Sequence, residues 1–289
     1  MSGRVLCGYV PDRRGNDALA LAALAARVMR ADLVLAHVHP PSWPVPNQGA
    51  VDAEWRRYLD TRSDAALAHG QEVLSGWGEP AARTVVAAHR GSGRGLADVA
   101  VREAAGLVVI GSAPGGMRAR IAVGSTADQL LHGSPVPVLL APKGYAGAAP
   151  DRFGRVTLTY RRRTADRVAC RVAARLAARL GIPLRIVHVL VRTTRLFGAT
   201  GGLDAEAPVL RAARESAEAD LADLAAHLDT AAQVTTEILQ GDDVPSALAS
   251  TDWHPADLLT CGSSGTGPLR RVFLADMSMK LIRASPPRS

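Results

Sequence analysis

The sequence predicts an α/β fold with two tandem domains, each built on an open parallel sheet. Short apolar runs alternate with helical patterns through both halves of the 289 residues, as consecutive βαβ units do. The second half repeats the first at a spacing of 151 residues, which separates Tyr9 from Tyr160 and Gly111 from Gly262. Repetition at one fixed spacing indicates two homologous domains.

The first half is predicted to hold five strands and four helices. The strands cover residues 5–9, 33–38, 84–88, 107–111 and 136–140. The helices cover residues 17–29, 53–74, 96–105 and 126–131. Short apolar runs bounded by Gly or Pro are typical of buried parallel strands, and residues 17–29 are almost all strong helix formers. These elements define a first domain over residues 1–142.

The second half repeats this order of strands and helices. Its predicted strands are 156–160, 184–190, 234–239 and 258–261, and its predicted helices are 165–180, 205–228, 245–249 and 277–282. Residues 143–154 are rich in Pro, Gly and Ala, which is typical of a linker and places the second domain at 155–289. At the repeat spacing almost nothing corresponds to the strand 136–140. We therefore expect the second domain to lack its last strand.

Composition and charge limit the classes of function. Hydrophobic residues make up 47% and charged residues 21%, as in ordinary globular proteins. Residues 1–14 contain no apolar core of a signal peptide, and the longest stretch without acidic or basic residues, 33–51, contains four prolines. Cys7, Cys170 and Cys261 fit no disulfide or metal spacing. We expect a cytoplasmic protein with reduced cysteines and no membrane span.

The positive charge does not predict a specific nucleic-acid partner. The net charge of +7 comes from arginines that are dispersed among acidic residues, and aromatic residues make up only 4%. Specific modules instead cluster basic residues on one face, together with recognisable motifs or stacking aromatic side chains.

Each half ends a predicted strand in a glycine-rich turn that is suited to an anion. In the first half, Gly111 ends the strand, and Gly124, Ser125 and Thr126 precede a predicted helix. A glycine lets the backbone approach a ligand closely, and the amide groups of such a turn and of a helix start attract negative charge. The two features together predict a phosphate site at the carboxyl end of the sheet.

The spacing of these residues resembles the universal stress protein family. Nucleotide-binding members of that family carry the pattern G-x2-G-x9-G-[ST], followed by a strand flanked by prolines. This chain matches the pattern at Gly111, Gly124 and Ser125, and HGSPVPVLLAP at residues 132–142 looks like the closing strand. The resemblance covers both halves. It implies two Rossmann-like domains of the adenine nucleotide alpha-hydrolase-like type.

The resemblance implies that the first domain binds ATP or another adenine nucleotide, with Mg²⁺ accompanying it. The residues it places around the phosphates and ribose are Gly111, Ser112, Gly116, Gly124, Ser125 and Thr126. Backbone groups near Val10 and Val38 would line the adenine. Arg120 follows the glycine loop and either reaches the phosphates or is a solvated residue beside a helix.

The first domain departs from the family pattern at two positions. Residues 9–12 read YVPD where nucleotide-binding members have an aspartate, and Pro114 replaces the middle glycine. These departures favour an alternative in which the turns are retained only as features of the fold.

The second domain departs further. Three arginines, Arg161, Arg162 and Arg163, follow its first strand, and their role is left open. Ala275 and Asp276 replace the late glycine and hydroxyl. A carboxylate repels phosphate at close range, so we expect at most one nucleotide per chain.

No arrangement of residues predicts catalysis. The sequence contains no hydrolase elbow, no P-loop lysine and no metal-binding spacing. His37 and His188 occupy equivalent positions but have no acidic or cysteine partner nearby in sequence, which favours structural, hydrogen-bonded histidines. The leading hypothesis is a non-enzymatic, nucleotide-binding stress-response regulator or tolerance factor. The alternatives are a nucleotide-free dimerisation or interaction scaffold and an ATP-using enzyme of the same fold class.

An apolar sheet edge predicts self-association. The strand from Val136 to Leu140 has no counterpart in the second domain with which to pair. Pro135 and Pro137 protect only the beginning of such an edge. We expect a homodimer in which this strand pairs with its symmetry mate. The alternative is that residues 143–154 fold back over the edge.

Overall fold

The computed structural model describes residues 3–41, 50–114, 123–161, 164–191, 206–253 and 256–261. The chain divides into two compact units, Met1–Asp151 and Arg152–Ser289. The predictions made for Gly116, Arg120, Arg162, Arg163 and all residues beyond 261 lie outside the described residues.

Within the described residues, unit 1 holds a five-stranded parallel sheet in the order β3-β2-β1-β4-β5. The strands are β1 (Arg4–Gly8), β2 (Asp32–His39), β3 (Arg83–Ala88), β4 (Ala105–Gly111) and β5 (Val138–Ala141). The helices are α1 (Arg13–Met29), α2 (Ala50–Gly76), α3 (Ser92–Arg102) and α4 (Ser125–Gly133), and a 3₁₀ turn covers Tyr145–Ala148. The strand order reverses between β1 and β4, where open parallel sheets form a crevice.

The described part of unit 2 holds a four-stranded parallel sheet in the order β8-β7-β6-β9. The strands are β6 (Arg155–Thr159), β7 (Leu184–Val191), β8 (Val234–Gly241) and β9 (Asp257–Cys261). The helices are α5 (Thr164–Leu180), α6 (Glu206–Ala226) and α7 (Val244–Ala249). The helix expected at 277–282 and the expected lack of a last strand concern residues outside this part.

The two units share most of their register. β1 pairs with β4 as β6 pairs with β9, at the repeat spacing read from the sequence. The third strand differs by one position, because Val34 faces Arg83 whereas its counterpart Arg185 faces Thr235. From β3 to the start of α3, a residue of unit 1 and its equivalent in unit 2 are therefore separated by one residue more than the repeat spacing.

α1 begins at Arg13, earlier than the predicted start at residue 17. Asp12 is its N-cap, and Oδ1 of Asp12 accepts hydrogen bonds from the backbone N–H groups of Arg14 at 2.9 Å and Gly15 at 3.0 Å. Such a cap satisfies amide groups that lack partners within the helix, and so allows the helix to start here. The buried face of α1, which includes Leu19, then packs on the sheet.

α3 begins at Ser92, four residues before its predicted start, and contains two glycines. A Cβ atom at Gly93 would lie 2.4 Å from the carbonyl oxygen of Thr126, and one at Gly95 would lie 2.7 Å from Cγ1 of Val38. The glycines therefore permit close packing of α3 against α4 and β2. This packing outweighs the low helix propensity of glycine, which misled the sequence prediction.

β5 begins at Val138, so the predicted start at Val136 is wrong. Ser134 Oγ donates a hydrogen bond to the carbonyl of Val136 at 2.7 Å, which holds these residues in a turn. Pro137 has no amide hydrogen, although its carbonyl accepts from the Val108 N–H at 3.0 Å. The paired strand therefore starts only after this proline.

The first residues of the predicted linker pack on unit 1. Asp17 is only 4% exposed, and its carboxylate accepts hydrogen bonds from the backbone N–H groups of Gly144 and Ala146, both at 2.8 Å. Tyr145, between them, is buried. These contacts fix the segment after β5 against α1.

Cys7 and Cys170 are buried, free cysteines. Burial raises the pKa of the Cys7 thiol and raises the pKa of Cys170 to about 12, so both remain protonated at neutral pH. Among the described helices, none combines the length and the apolar character that crossing a bilayer requires.

Candidate functional site

A cleft of about 300 Å³ opens in unit 1 at the carboxyl ends of β1, β2 and β4. The first turns of α1, α3 and α4 form its rim. Its apolar wall consists of Val10, Ala36, Val38, Leu96 and Ile110. This is the place where the topology of an open parallel sheet puts ligands, and the wall suits a flat apolar group.

Glycines bring backbone segments together at the floor of the cleft. A Cβ atom at Gly111 would lie 2.2 Å from the carbonyl oxygen of Arg14, and one at Gly15 would lie 1.8 Å from that of Val10. Neither position admits a side chain unless the backbone moves. The end of β4 and the first turn of α1 are therefore in direct backbone contact, which leaves the space above them open.

The start of α4 faces the cleft without a side-chain cap. Gly124 is the N-cap and is extended, and no side chain accepts a hydrogen bond at this cap. Ser125 and Thr126 follow in the first turn and also line the cleft. Uncapped amide groups and the helix dipole attract an anion, so the start of α4 is suited to phosphate.

The other two helix starts are satisfied from within the protein. Gln129 Oε1 accepts hydrogen bonds from the backbone N–H groups of Gly93 at 3.1 Å and Arg94 at 3.3 Å in the first turn of α3. Asp12 caps α1. Of the three helix starts on the rim, only that of α4 lacks a described side-chain acceptor, and it is therefore the start best suited to an anion.

Hydroxyl groups lie beside the start of α4. Ser92 Oγ and Thr126 Oγ1 are 2.6 Å apart, and both residues line the cleft. Hydroxyl groups can donate to phosphate oxygens or to ribose oxygens. The pair therefore extends the polar surface from α4 to α3.

The described lining of the cleft carries a positive charge and no negative charge. Arg14 is the only charged residue among the described lining residues. Its guanidinium also contacts Asp12, outside the lining. Partial burial acts to raise the pKa of the Asp12 carboxyl, but hydrogen bonds from Arg14 and Gly15 outweigh it and hold the pKa below its usual range.

In each unit, a histidine of the second strand contacts the residue that follows the first strand. His37 Nδ1 lies 2.9 Å from the carbonyl oxygen of Tyr9, and His188 Nδ1 lies 2.9 Å from that of Tyr160. A carbonyl oxygen only accepts, so each ring donates through Nδ1. The prediction that both histidines are hydrogen-bonded is confirmed.

The cleft brings together six of the residues predicted from the resemblance. These are Val10, Val38, Gly111, Gly124, Ser125 and Thr126. Ser112 is buried beside it, and its backbone N–H donates to the carbonyl of Ala141 at 2.9 Å. Gly116 and Arg120 lie outside the described residues.

Sequence reasoning missed several lining residues of the cleft, among them Arg14, Gly15 and Ser92 at helix starts. Arg14 and Gly15 belong to the first turn of α1, which the predicted helix start at residue 17 excluded. Aspartate is a common N-cap residue, so Asp12 could have indicated that the helix begins at Arg13. Ser92 lies in the GSGRG segment at 91–95, before the predicted helix start at residue 96.

A second hollow of about 350 Å³ runs along the edge strand β3 and α3. Its lining includes His89, Asp98 and Arg102. The described lining includes no residue of α1 or α4, and the hollow lies away from the switch in strand order. The described residues contain no cluster of His, Cys, Asp or Glu that could hold a metal ion.

Unit 2 does not repeat the chemistry of the cleft at its corresponding turn. Arg161, the counterpart of Val10, donates to Asp166 through its backbone N–H at 2.9 Å and its guanidinium at 3.1 Å. Asp166 is the counterpart of Gly15, and its side chain is completely buried. A buried carboxylate side chain therefore occupies the position at which unit 1 has a glycine.

The third helix start of unit 2 is filled in the same way. Asp243 is the N-cap of α7 and accepts from the Ser246 N–H at 2.7 Å, while Ser246 Oγ accepts from the Asp243 N–H at 3.0 Å. Hydrogen bonds from Ser246 lower the pKa of the Asp243 carboxyl. The counterpart N-cap in unit 1 is Gly91, which has no side chain to offer.

Comparison with known proteins agrees with this architecture. The model of the family described as "Universal stress protein family" matches residues 1–142 and 153–287. The chain belongs to the universal stress protein family. Universal stress proteins of Mycobacterium tuberculosis and Mycobacterium bovis are 34% identical to it over 283 residues, which cover 98% of this chain and 97% of each relative. The predicted tandem universal stress protein is thus confirmed.

One solved structure that matches almost the whole chain supports the fold. A universal stress protein from Archaeoglobus fulgidus matches with a TM-score of 0.63 at 17% identity, over 99% of this chain and 97% of that chain. A universal stress protein solved in complex with cAMP matches 49% of this chain and 98% of its own, at 18% identity and a TM-score of 0.39. The α/β class with two parallel sheets is confirmed.

Proposed function

We propose that unit 1 binds an adenine nucleotide, ATP in the first instance, and that the chain is a non-enzymatic, cytoplasmic stress-response regulator or tolerance factor. Gly111, Gly124, Ser125 and Thr126 would surround the phosphates and ribose. Backbone groups near Val10 and Val38 would line the adenine. Ser112, Gly116 and Arg120 complete the set that the family pattern implies.

One observation carries this proposal. The uncapped start of α4 opens into a cleft whose described lining contains no carboxylate and whose opposite wall is apolar. A nucleotide offers both an anion for the helix start and a flat base for the apolar wall. Mg²⁺ would enter with the triphosphate, because the described lining provides no carboxylate ligand for it.

A regulatory role follows from what the cleft lacks. The described lining holds no histidine, cysteine or carboxylate that could act as a base or nucleophile. A bound nucleotide would then act by shifting a conformational or partner-binding equilibrium, to the extent that it prefers one state.

The first experiment asks whether the protein carries nucleotide. The purified protein is denatured and the supernatant is chromatographed, before and after incubation with ATP and magnesium. ATP binding is then titrated calorimetrically. We expect one ATP per chain, and two tight sites would contradict the assignment to unit 1 alone.

Substitutions at Gly124 test the location of the phosphate. Gly124→Asp places a carboxylate on the amides of the α4 start and should abolish ATP binding while the helix itself is better capped. Gly124→Asn supplies a similar cap without charge. Gly124→Ala controls for shape, since a Cβ there would lie 2.9 Å from Cβ of Ala113. Equal loss in all three variants would point to crowding rather than to phosphate repulsion.

A nucleotide-free interaction scaffold is the second candidate. Residues 9–12 read YVPD where the family pattern of nucleotide-binding members has an aspartate, and Pro114 in the cleft lining replaces a glycine of that pattern. Absence of released nucleotide, together with a melting temperature that ATP does not change, would favour the scaffold. Steady ATP turnover abolished by one substitution would instead indicate an enzyme.

The proposal includes a homodimer through the strand region from Val136 to Leu140. β5 is the edge of the sheet in unit 1, and no described strand pairs with its outer side. The carbonyls of Pro137 and Ala141 face β4, so Val138 and Leu140 direct their backbone N–H groups outward. Unpaired outward groups on an apolar strand favour pairing with a second copy.

Light scattering on matched variants tests the dimer. Leu140→Pro removes an outward N–H group, and Leu140→Ala reduces the side chain while keeping that group. We expect the parent and the alanine variant to be dimers and the proline variant to be a monomer. A monomeric parent, or a dimeric proline variant, contradicts pairing through β5.

A further inference from the structure

Arg14 and Asp12 form an ion pair at the mouth of the cleft. Arg14 donates to Oδ2 of Asp12 through Nε at 2.9 Å and through Nη2 at 2.8 Å. Both side chains are 42% exposed. Arg14 lines the cleft, whereas Asp12 does not. The pair therefore holds a cation at the boundary between solvent and the site.

The two carboxylate oxygens of Asp12 have separate tasks. Oδ1 accepts the backbone N–H groups of Arg14 and Gly15 and so caps α1, while Oδ2 accepts the guanidinium. Departure of the guanidinium would leave the cap intact. Exposed ion pairs contribute little to stability, so this exchange has a small cost.

The cleft offers the guanidinium a better partner when a phosphate is present. The amides at the start of α4 face the same space, and no acidic residue lies among the described lining residues. A guanidinium binds phosphate through two parallel hydrogen bonds, and such charge-assisted bonds are stronger than neutral ones.

We propose that Arg14 exchanges Asp12 for a phosphate of the bound ligand and thereby makes the cleft discriminate ligands by their negative charge. This rests on the proposed function, since it assumes an adenine nucleotide in unit 1. Arg14 binds the phosphate from the α1 side while the start of α4 binds it from the other. Asp12 competes for the same guanidinium and lowers the affinity.

The proposal predicts opposite effects for the two members of the pair. Binding of ATP and of adenosine is measured by calorimetry at fixed salt concentration. Arg14→Gln should weaken ATP about tenfold and leave adenosine unchanged, because only ATP carries the charge that Arg14 contacts. Asp12→Asn keeps the Oδ1 cap and frees the guanidinium, and should strengthen ATP about threefold.

Two further variants complete the test. Arg13→Gln removes the same charge from an exposed neighbour outside the lining and should change neither affinity. Arg14→Lys should retain part of the preference for ATP, since it keeps the charge without the planar fork. Thermal unfolding of each variant verifies that it is folded.

Each remaining outcome overturns the proposal. If Arg14→Gln weakens adenosine as much as ATP, Arg14 has a structural role. An unchanged ATP affinity in Arg14→Gln, or a weaker one in Asp12→Asn, excludes the exchange while the nucleotide site stands. A parent protein that binds no ATP removes the proposed function together with this inference.

Discussion

The turn after β1 in unit 1 and the turn after β6 in unit 2 occupy the same place in one repeated fold and differ in chemistry. Unit 1 has Val10 and Gly15, whose backbones are in contact, whereas unit 2 has Arg161 and Asp166, whose side chains form a buried ion pair. In unit 2 the carboxylate that replaces Gly15 fills this turn, whereas in unit 1 the carboxylate of Asp12, outside the cleft lining, caps the first turn of α1.

The start of the third helix, α3 in unit 1 and α7 in unit 2, also differs between the units. Gly91 leaves the start of α3 without a cap of its own, whereas Asp243 caps α7 with a carboxylate. In unit 1 the corresponding amide groups are satisfied by Asp12 and Gln129, which come from other positions of the chain. The two units therefore share the parallel sheet but differ in the residues that cap their helix starts.

The largest effect is expected in unit 2. Asp166→Ala leaves the Arg161 guanidinium, with 13% side-chain exposure, without this carboxylate and should destabilise unit 2 by about 3 kcal/mol, as loss of one member of a buried ion pair does. Urea unfolding measures the change. Asp166→Asn, which still accepts from the Arg161 N–H, should be less harmful. A loss below about 1 kcal/mol in the alanine variant would mean that the pair behaves as an exposed one.

Transfer of the unit 2 residue into unit 1 should have the next largest effect. Gly15→Asp and Gly15→Ala both place a Cβ against the Val10 carbonyl and should each destabilise unit 1 by about 2 kcal/mol. The aspartate variant should also lose ATP binding, because its charge lies in the cleft. Chemical unfolding and ATP titration of both variants check this. If Gly15→Ala leaves the free energy of unfolding unchanged, the backbone of the turn accommodates the added Cβ atom without a measurable cost.

A smaller effect concerns the pH dependence of unit 1. Burial lowers the pKa of His37, so the folded state binds fewer protons than the unfolded state once the pH falls below the ordinary histidine value of about 6.5. Stability should therefore decrease as the pH falls through this range. His37→Asn retains a donor for the Tyr9 carbonyl but does not titrate, and should reduce the decrease in stability. Equal pH profiles for parent and variant would assign the dependence to other groups.

Much of the fold was predictable because local sequence patterns indicate where its strands and helices lie. Apolar runs and a repeat at fixed spacing suffice to place nine strands of the described residues and to predict that they lie parallel. The errors lie at element ends, where tertiary contacts decide. Gly93 and Gly95 argue against a helix by propensity, but α3 needs them to approach α4 and β2.

The cleft was predictable only in part. Gly111 and Gly124 were found because their spacing follows a known pattern, and the cleft contains both. Arg14 was not found, because nothing local indicates that the first turn of α1 reaches the end of β4. That proximity arises from the backbone contact at Gly111, which involves residues far apart in sequence.

The buried carboxylate of Asp17 gives α1 a second attachment. Arg14 and Gly15, in the first turn of this helix, line the cleft. About one turn later, the carboxylate of Asp17 accepts hydrogen bonds from the backbone N–H groups of Gly144 and Ala146. The same helix therefore contacts both the cleft and the segment by which the chain leaves unit 1.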